Sequence, residues 1–137
     1  MPAVLVDAGA LIALLDRTDQ WHAACLEALA EIRDPLVTVW PALTEAMHLL
    51  ADTPRGQEAL FEMIEDDALG LVPLDDGDLA RMKALMRKYR DLPMDFADAA
   101  LVRVAERDQL THILSFDRHF QVYALPGRAR FVVVPSA

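Results

Sequence analysis

The sequence has little of several features that define whole classes of protein. It contains one cysteine, Cys25, in 137 residues, which excludes an internal disulfide and a cysteine-rich zinc site. Zinc-binding spacing is also missing from the four histidines, which are His22, His48, His112 and His119. No uninterrupted apolar run approaches the length that spans a bilayer, and the opening MPAVLVDAG carries no basic leader. We therefore expect a cytoplasmic protein with no membrane segment.

Basic charge is scarce as well. The chain has 13 lysines and arginines against 22 acidic residues, a formal net charge of −9. This charge balance argues against the sequence-independent electrostatic binding by which basic proteins hold nucleic acid. Bound divalent ions would offset part of the negative charge, but a polyanionic substrate still needs a local basic surface. Lys83, Arg87 and Arg90 share a helix face by their spacing and could contact RNA backbone, although a solvated face is the commoner explanation.

What the chain does have is an apolar content suited to a folded core. Hydrophobic residues make up 54% of the sequence, which is too high for a disordered chain. The length is that of one domain and is sufficient to bury a core. Repeats and low-complexity segments are absent from the sequence. We expect a single compact domain over residues 1–137.

Short apolar runs alternate with segments of helical periodicity along the whole chain. The runs predict strands at 3–6, 36–40, 68–74, 111–115 and 130–134. Strands that alternate with helices of this length imply right-handed crossovers and a parallel sheet covered on both faces. We therefore expect an α/β fold with a mainly parallel sheet of four to five strands.

Four acidic residues lie where apolar strand-like runs give way to a turn or a helix. Asp7 and Asp117, together with Ser115, follow predicted strands, whereas Glu45 and Asp98 lie in early turns of predicted helices. In parallel α/β folds, sites form at the carboxyl ends of the strands, so these side chains could meet there. Carboxylates gathered at one place repel one another and usually require a cation. The sequence therefore predicts a metal site, and magnesium prefers such oxygen ligands.

Each of these acids also has a simpler explanation. Asp7 could cap the helix that follows it, although its position directly after an apolar strand favours a site. Asp95 and Asp98 have the spacing of a capping box, and capping is as good an explanation for Asp95 as metal binding. Asp117 could be an ordinary turn residue, and Glu45 alone would more often be a surface residue.

Four segments carry a family resemblance: VDAGALIALLD, LTEAMHLL, PMDFADAALVRVAE and ILSFDRHF. In their order, their spacing and their span of nearly the whole chain, they resemble the PIN domain. The likeness is to the single-domain PIN ribonucleases that serve as VapC-type toxins of prokaryotic toxin–antitoxin pairs. This resemblance implies an α/β/α sandwich and endonucleolytic cleavage of RNA that depends on Mg²⁺ or Mn²⁺. It also implies a homodimer and neutralisation by a cognate antitoxin.

The resemblance assigns roles to individual residues by position. Asp7 matches the aspartate of the family's first strand and Asp98 the aspartate that begins its "DA" helix, which makes these two the best candidate metal ligands. Asp117 matches the family's fourth acid. Our own hypothesis adds that Asp117 and Asp95 help to bind the ion directly or through water. Glu45 matches the glutamate of the second motif and would orient or deprotonate the attacking water. Ser115 replaces a threonine found in many members and keeps the hydroxyl group.

Two other functions fit parts of the same pattern. A phosphoacceptor signalling domain shares the length, the sheet and the magnesium, but it needs paired acids after the first strand, where LVDAG offers one. A PIN-like module that only binds an antitoxin or RNA is the other alternative. The presence of all four main acids argues against that second possibility.

Overall fold

The protein is described by a computed structural model that covers residues 2–136, apart from the side chain of Arg128. Its five strands are β1 (Val4–Val6), β2 (Leu36–Thr38), β3 (Gly70–Leu71), β4 (His112–Leu114) and β5 (Val132–Val134). They form one sheet in the order β3-β2-β1-β4-β5, and all four strand pairings are parallel. The predicted parallel sheet is therefore confirmed, with five strands.

Six α-helices connect these strands. They are α1 (Ala8–Leu15), α2 (His22–Glu31), α3 (Trp40–Leu49), α4 (Pro54–Glu65), α5 (Leu79–Lys88) and α6 (Phe96–Asp108). Proline lies in the first two positions of α3 and α4, where the missing N–H would have no helical partner and the fixed φ suits a helix start. None of the described helices is both long and apolar enough to cross a membrane.

Two hydrophobic cores lie on opposite faces of the sheet. Along β1, Leu5 points into one core, while Val4 and Val6 point into the other, as expected for the alternating directions of side chains on a strand. The first core is filled mainly by α5 and α6, and the second by α1 together with side chains of α2, α3 and α4. Helix α3 contacts both α1 and α6. The three-layer α/β/α arrangement is confirmed.

All five strands are shorter than the apolar runs that predict them, and β2 and β3 show two of the reasons. The apolar run at 36–40 predicts a strand to Trp40, but the strand ends at Thr38 because Val39 is the N-terminal cap residue of α3 and Trp40 begins that helix. The run at 68–74 forms a strand only at Gly70–Leu71. It lies at the edge of the sheet, and Pro73 has no N–H to extend the ladder.

The strand order determines where a site can form. From β1 the chain moves outward through β2 to β3, and it later returns to place β4 on the other side of β1. The direction of winding thus reverses between β1 and β4, whose carboxyl ends lie side by side. Asp7 follows β1, and Ser115 follows β4. In open parallel sheets this reversal point is the usual location of a binding crevice.

Candidate active site

A cavity of about 390 Å³ opens at this reversal point. Its carboxylate lining consists of Asp7, Asp19, Glu45, Asp95, Asp98 and Asp117. The five acids predicted from the sequence are therefore brought together by the fold. No basic side chain lines this cavity among the described residues, so its carboxylates have no protein cation within the lining to balance them.

Asp7 is the most deeply buried of these acids, with 6% of its surface exposed. One carboxylate oxygen, Oδ1, accepts the N–H of Ala10 at 2.8 Å and so caps α1. The other, Oδ2, accepts a short hydrogen bond from the Ser115 hydroxyl, and Ser115 Oγ in turn accepts the Asp117 N–H at 3.0 Å. Burial raises the pKa of Asp7 to about 6, against the lowering effect of the Ser115 and Ala10 hydrogen bonds. The capping explanation for Asp7 is thus correct and coexists with a place in the cavity.

Asp95 and Asp98 form a reciprocal capping box at the start of α6. The Asp98 N–H donates to Asp95 Oδ1 at 2.8 Å, and the Asp95 N–H donates to Asp98 Oδ2 at 3.3 Å. Burial, followed by the negative charge of Asp95, raises the pKa of Asp98 well above its ordinary value. The capping explanation therefore holds for both residues, and both still line the cavity.

Glu45 and Asp117 complete the set of predicted acids. Glu45 lies in the second turn of α3 and is half-buried, and burial together with the charge of Asp95 raises its pKa. Asp117 caps the 3₁₀ turn Arg118–Gln121 by accepting the His119 N–H at 2.9 Å. The turn explanation for Asp117 is therefore correct, and its side chain also lines the cavity.

Two residues near these acids were missed by the sequence reasoning. Asp19 enters the cavity from the loop between α1 and α2, where its Oδ2 accepts the Trp21 N–H at 2.9 Å. Tyr123 is fully buried close to Asp98. Neither follows a strand or lies on a helix, so no periodicity or strand-end position in the sequence links it to the other acids.

An aromatic pair forms part of the cavity wall. The rings of Trp21 and Phe116 stack with their centroids 5.3 Å apart and their planes 9° from parallel, and both side chains line the cavity. Trp21 is 44% exposed. The cavity therefore combines acidic groups with an aromatic wall.

Comparison with known proteins identifies the family. A sequence model described as the PIN domain matches residues 4–125. The chain belongs to the PIN domain family. Ribonuclease VapC26 of Mycobacterium tuberculosis is 32% identical to it over 136 residues, which cover 96% of this chain and 100% of the relative. The protein is therefore a PIN domain of the VapC type.

Solved structures share the fold of this PIN domain. The crystal structure of VapC20 from Mycobacterium tuberculosis, described as a toxin that cleaves the sarcin-ricin loop, superposes with a TM-score of 0.82 at 16% identity. That match covers 93% of this chain and 98% of the other. A toxin–antitoxin complex from Klebsiella pneumoniae matches with a TM-score of 0.65 at 16% identity, covering 84% of this chain and 87% of the other. At this identity the two structures show a common fold.

The chemistry of the PIN domain's cavity suits a hard divalent cation. Its donors are carboxylate oxygens, the ligands that Mg²⁺ and Mn²⁺ prefer. Within residues 2–136, no group of three or more histidine, cysteine or acidic side chains is placed so that all of them could hold one metal ion. Mg²⁺ keeps several of its waters and needs only one or two direct carboxylates, so a loose group of acids is sufficient. Burial is the main cause of the raised pKa values of Asp7 and Asp98, and the neighbouring carboxylates add to it, so a bound cation would favour the ionised form of both groups.

Proposed function

We propose that this PIN domain is a metal-dependent endoribonuclease and acts as a VapC-type toxin. The observation that carries the proposal is the convergence of Asp7, Glu45, Asp95, Asp98 and Asp117 on one cavity at the carboxyl ends of β1 and β4. It is supported by full-length similarity to a protein named as a ribonuclease. In the proposal these five acids take the roles predicted for them from the sequence.

In this proposal Asp7 and Asp98 hold Mg²⁺ or Mn²⁺, with Asp95 and Asp117 contributing directly or through water. When bound, such an ion polarises the scissile phosphate and lowers the pKa of a coordinated water. Glu45 orients the attacking water and accepts its proton, a role suited by a pKa raised towards neutral pH. Ser115 holds the Asp7 carboxylate in place through its hydroxyl hydrogen bond.

RNA must approach an acidic cavity in an acidic protein, so a local basic surface is required. Five of the thirteen lysines and arginines lie between residues 79 and 90, with no acidic residue among them. Lys83, Arg87 and Arg90 are exposed and line a groove that also contains Phe96. Phe96 lines a second groove together with Glu45 and Asp95. We infer that this basic face contacts the RNA backbone beside the cavity.

The proposal includes two protein partners and a cytoplasmic location. Trp40, Leu79 and Phe96 are 59%, 50% and 49% exposed, and they are large apolar side chains around the same grooves. Clustered exposed apolar side chains are typical of a protein interface. We assign them to a homodimer. A cognate antitoxin is the second partner, by analogy with the toxin–antitoxin complex in which one chain shares this fold.

The test is cleavage of total cellular RNA by the purified protein with Mg²⁺ or Mn²⁺. EDTA and the double variant Asp7→Asn, Asp98→Asn serve as controls. Discrete fragments that require metal and disappear in the variant would support the nuclease and reveal its target. If neither metal yields fragments under conditions in which the protein binds RNA or an antitoxin, the non-catalytic binding module becomes the better account.

A further inference from the structure

Tyr123 holds a hydroxyl group in an unusual place. Its side chain is 0% exposed, and its ring makes edge contacts with Tyr89 at 5.0 Å and Phe120 at 5.1 Å between centroids. These contacts fix the orientation of the ring. Among the described residues, the Tyr123 hydroxyl is the one fully buried side-chain polar atom without a hydrogen-bond partner of good geometry. Buried hydroxyls normally have a partner, so this one calls for an explanation.

The surroundings of this hydroxyl suggest its partner. Tyr123 packs in the same core as Ala97 and Ala99, the two residues that flank Asp98 in the first turn of α6. Burial, and after it the negative charge of Asp98, raises the pKa of Tyr123. Asp98 is bound on one side only, because its Oδ2 accepts the Asp95 N–H over a long 3.3 Å. Oδ1 is therefore available as an acceptor, and a phenol hydroxyl beside a carboxylate can only donate to it.

We propose that Tyr123 is a positioning residue that donates a hydrogen bond to Asp98 and fixes this carboxylate for metal binding. It would serve Asp98 as Ser115 serves Asp7, whose carboxylate already accepts a buried hydroxyl hydrogen bond. Groups that hydrogen-bond a metal ligand orient it and strengthen metal binding. The inference rests on the proposed function, since it needs Asp98 to be a ligand.

The test compares Tyr123→Phe with the matched control Tyr89→Phe. The Tyr89 hydroxyl belongs to the same aromatic cluster but accepts the Ala124 N–H at 2.8 Å, away from the acids. Three quantities are measured: the Mn²⁺ dissociation constant without RNA, the thermal midpoint of the metal-free protein, and kcat and KM for RNA cleavage. We expect Tyr123→Phe to raise the Mn²⁺ dissociation constant about five- to tenfold and to lower kcat with little change in KM.

The control Tyr89→Phe should affect the stability of the protein and not its metal binding. Tyr89→Phe removes the partner of a backbone N–H, so it should lower the thermal midpoint and leave Mn²⁺ affinity unchanged. If Tyr123→Phe instead raises the thermal midpoint and leaves Mn²⁺ affinity and kcat unchanged, the hydroxyl is only a buried part of the core and the inference is wrong. A wild-type protein that neither binds Mn²⁺ nor cuts RNA would overturn the proposed function itself.

Discussion

Asp7 combines two roles in one side chain. Its Oδ1 caps α1, and its Oδ2 takes the Ser115 hydroxyl, so the carboxylate has a single fixed orientation at the edge of the cavity. This fixed placement requires burial, and burial raises the pKa of the group to about 6. Asp7 therefore stabilises the start of α1, and it also places a buried carboxyl group where a bound cation would balance its charge.

Changing Asp7 to Asn separates these two roles. Asparagine caps helices as well as aspartate does, and it removes a buried charge, so the metal-free protein at pH 7.5 should be as stable as wild type or more stable. RNA cleavage should fall at least a hundredfold, because a neutral amide is a poor ligand for Mg²⁺. Denaturant unfolding and a cleavage assay measure the two effects. Cleavage at the wild-type rate in this variant would remove Asp7 from the site.

Ser115 offers a second test at the scale of one residue. Ser115→Ala removes the hydroxyl that joins the Asp7 carboxylate to the Asp117 N–H, so we expect about a tenfold loss of kcat. Ser115→Thr keeps the hydroxyl and should retain most activity. Steady-state cleavage kinetics of both variants provide the check. Equal losses in the two variants would show that packing at this position, and not the hydroxyl, is what matters.

Whether a site residue could be predicted from the sequence depended on whether a strand, a helix or a loop carries it. Asp7 and Asp117 could be predicted because they follow apolar strands whose carboxyl ends must meet in a parallel sheet. Asp98 and Glu45 could be placed on helices that begin at the same edge. Asp19 could not be predicted, because a loop brings it to the cavity and loop geometry has no legible periodicity. The roles of the acids in metal binding and catalysis stay predictions.

Among the elements, the number and order of the strands could be predicted more accurately than their lengths. Each of the five apolar runs contains a strand, but every strand is shorter than its run, and β3 keeps only Gly70–Leu71 of the run at 68–74. In β2, for example, Val39 is fully buried but lies outside the strand as the cap residue of α3, and Trp40 belongs to that helix and is 59% exposed. An apolar run therefore does not show where a short strand stops pairing with its neighbour in the sheet.

An ion-pair network joins α5 and α6 on the face of the sheet that lacks α1. Asp78, which is buried just before α5, accepts hydrogen bonds from Arg103 at 2.8 Å and Arg107 at 3.0 Å. Asp78→Asn should lower the free energy of unfolding by about 2 kcal/mol, because it removes the charge that pairs with two partly buried arginines. The Mn²⁺ affinity should not change, since Asp78 does not line the cavity.

Denaturant unfolding and Mn²⁺ titration of this variant test the separation between scaffold and site. A loss of Mn²⁺ affinity without a loss of stability would indicate that the network reaches the cavity through α6. A loss of stability alone is the expected result.

At the scale of the whole molecule, the cavity acids should make stability depend on pH in an unusual direction. The Asp7 pKa is 3.8 in the unfolded reference and about 6 in the folded protein. Between these values the folded state keeps a proton that the unfolded state releases, so the metal-free protein loses stability as pH rises from about 4 to 7. Asp7 alone contributes on the order of 3 kcal/mol to this loss, and the raised pKa values of Asp98 and Glu45 act in the same direction.

Saturating Mn²⁺ should reverse the dependence of stability on pH. Metal binding requires ionised carboxylates, so the thermal midpoint should rise with pH when Mn²⁺ is present and fall with pH when EDTA is present. Differential scanning calorimetry at pH 5, 6 and 7 in both conditions provides the comparison. Asp7→Asn should flatten the dependence in EDTA. Parallel profiles in Mn²⁺ and EDTA would show that these acids bind no metal.

Calorimetric titration of Mn²⁺ into the RNA-free protein at pH 7.5 tests whether the cavity carboxylates hold a divalent cation, as we propose. Wild type should show saturable binding that Asp7→Asn and Asp98→Asn each reduce at least tenfold. The matched control is Asp75→Asn, since Asp75 caps a turn by accepting the Gly77 N–H at 2.8 Å and does not line the cavity. We expect wild-type affinity for that control. Equal Mn²⁺ binding by all four proteins would show that the cavity carboxylates do not hold the ion.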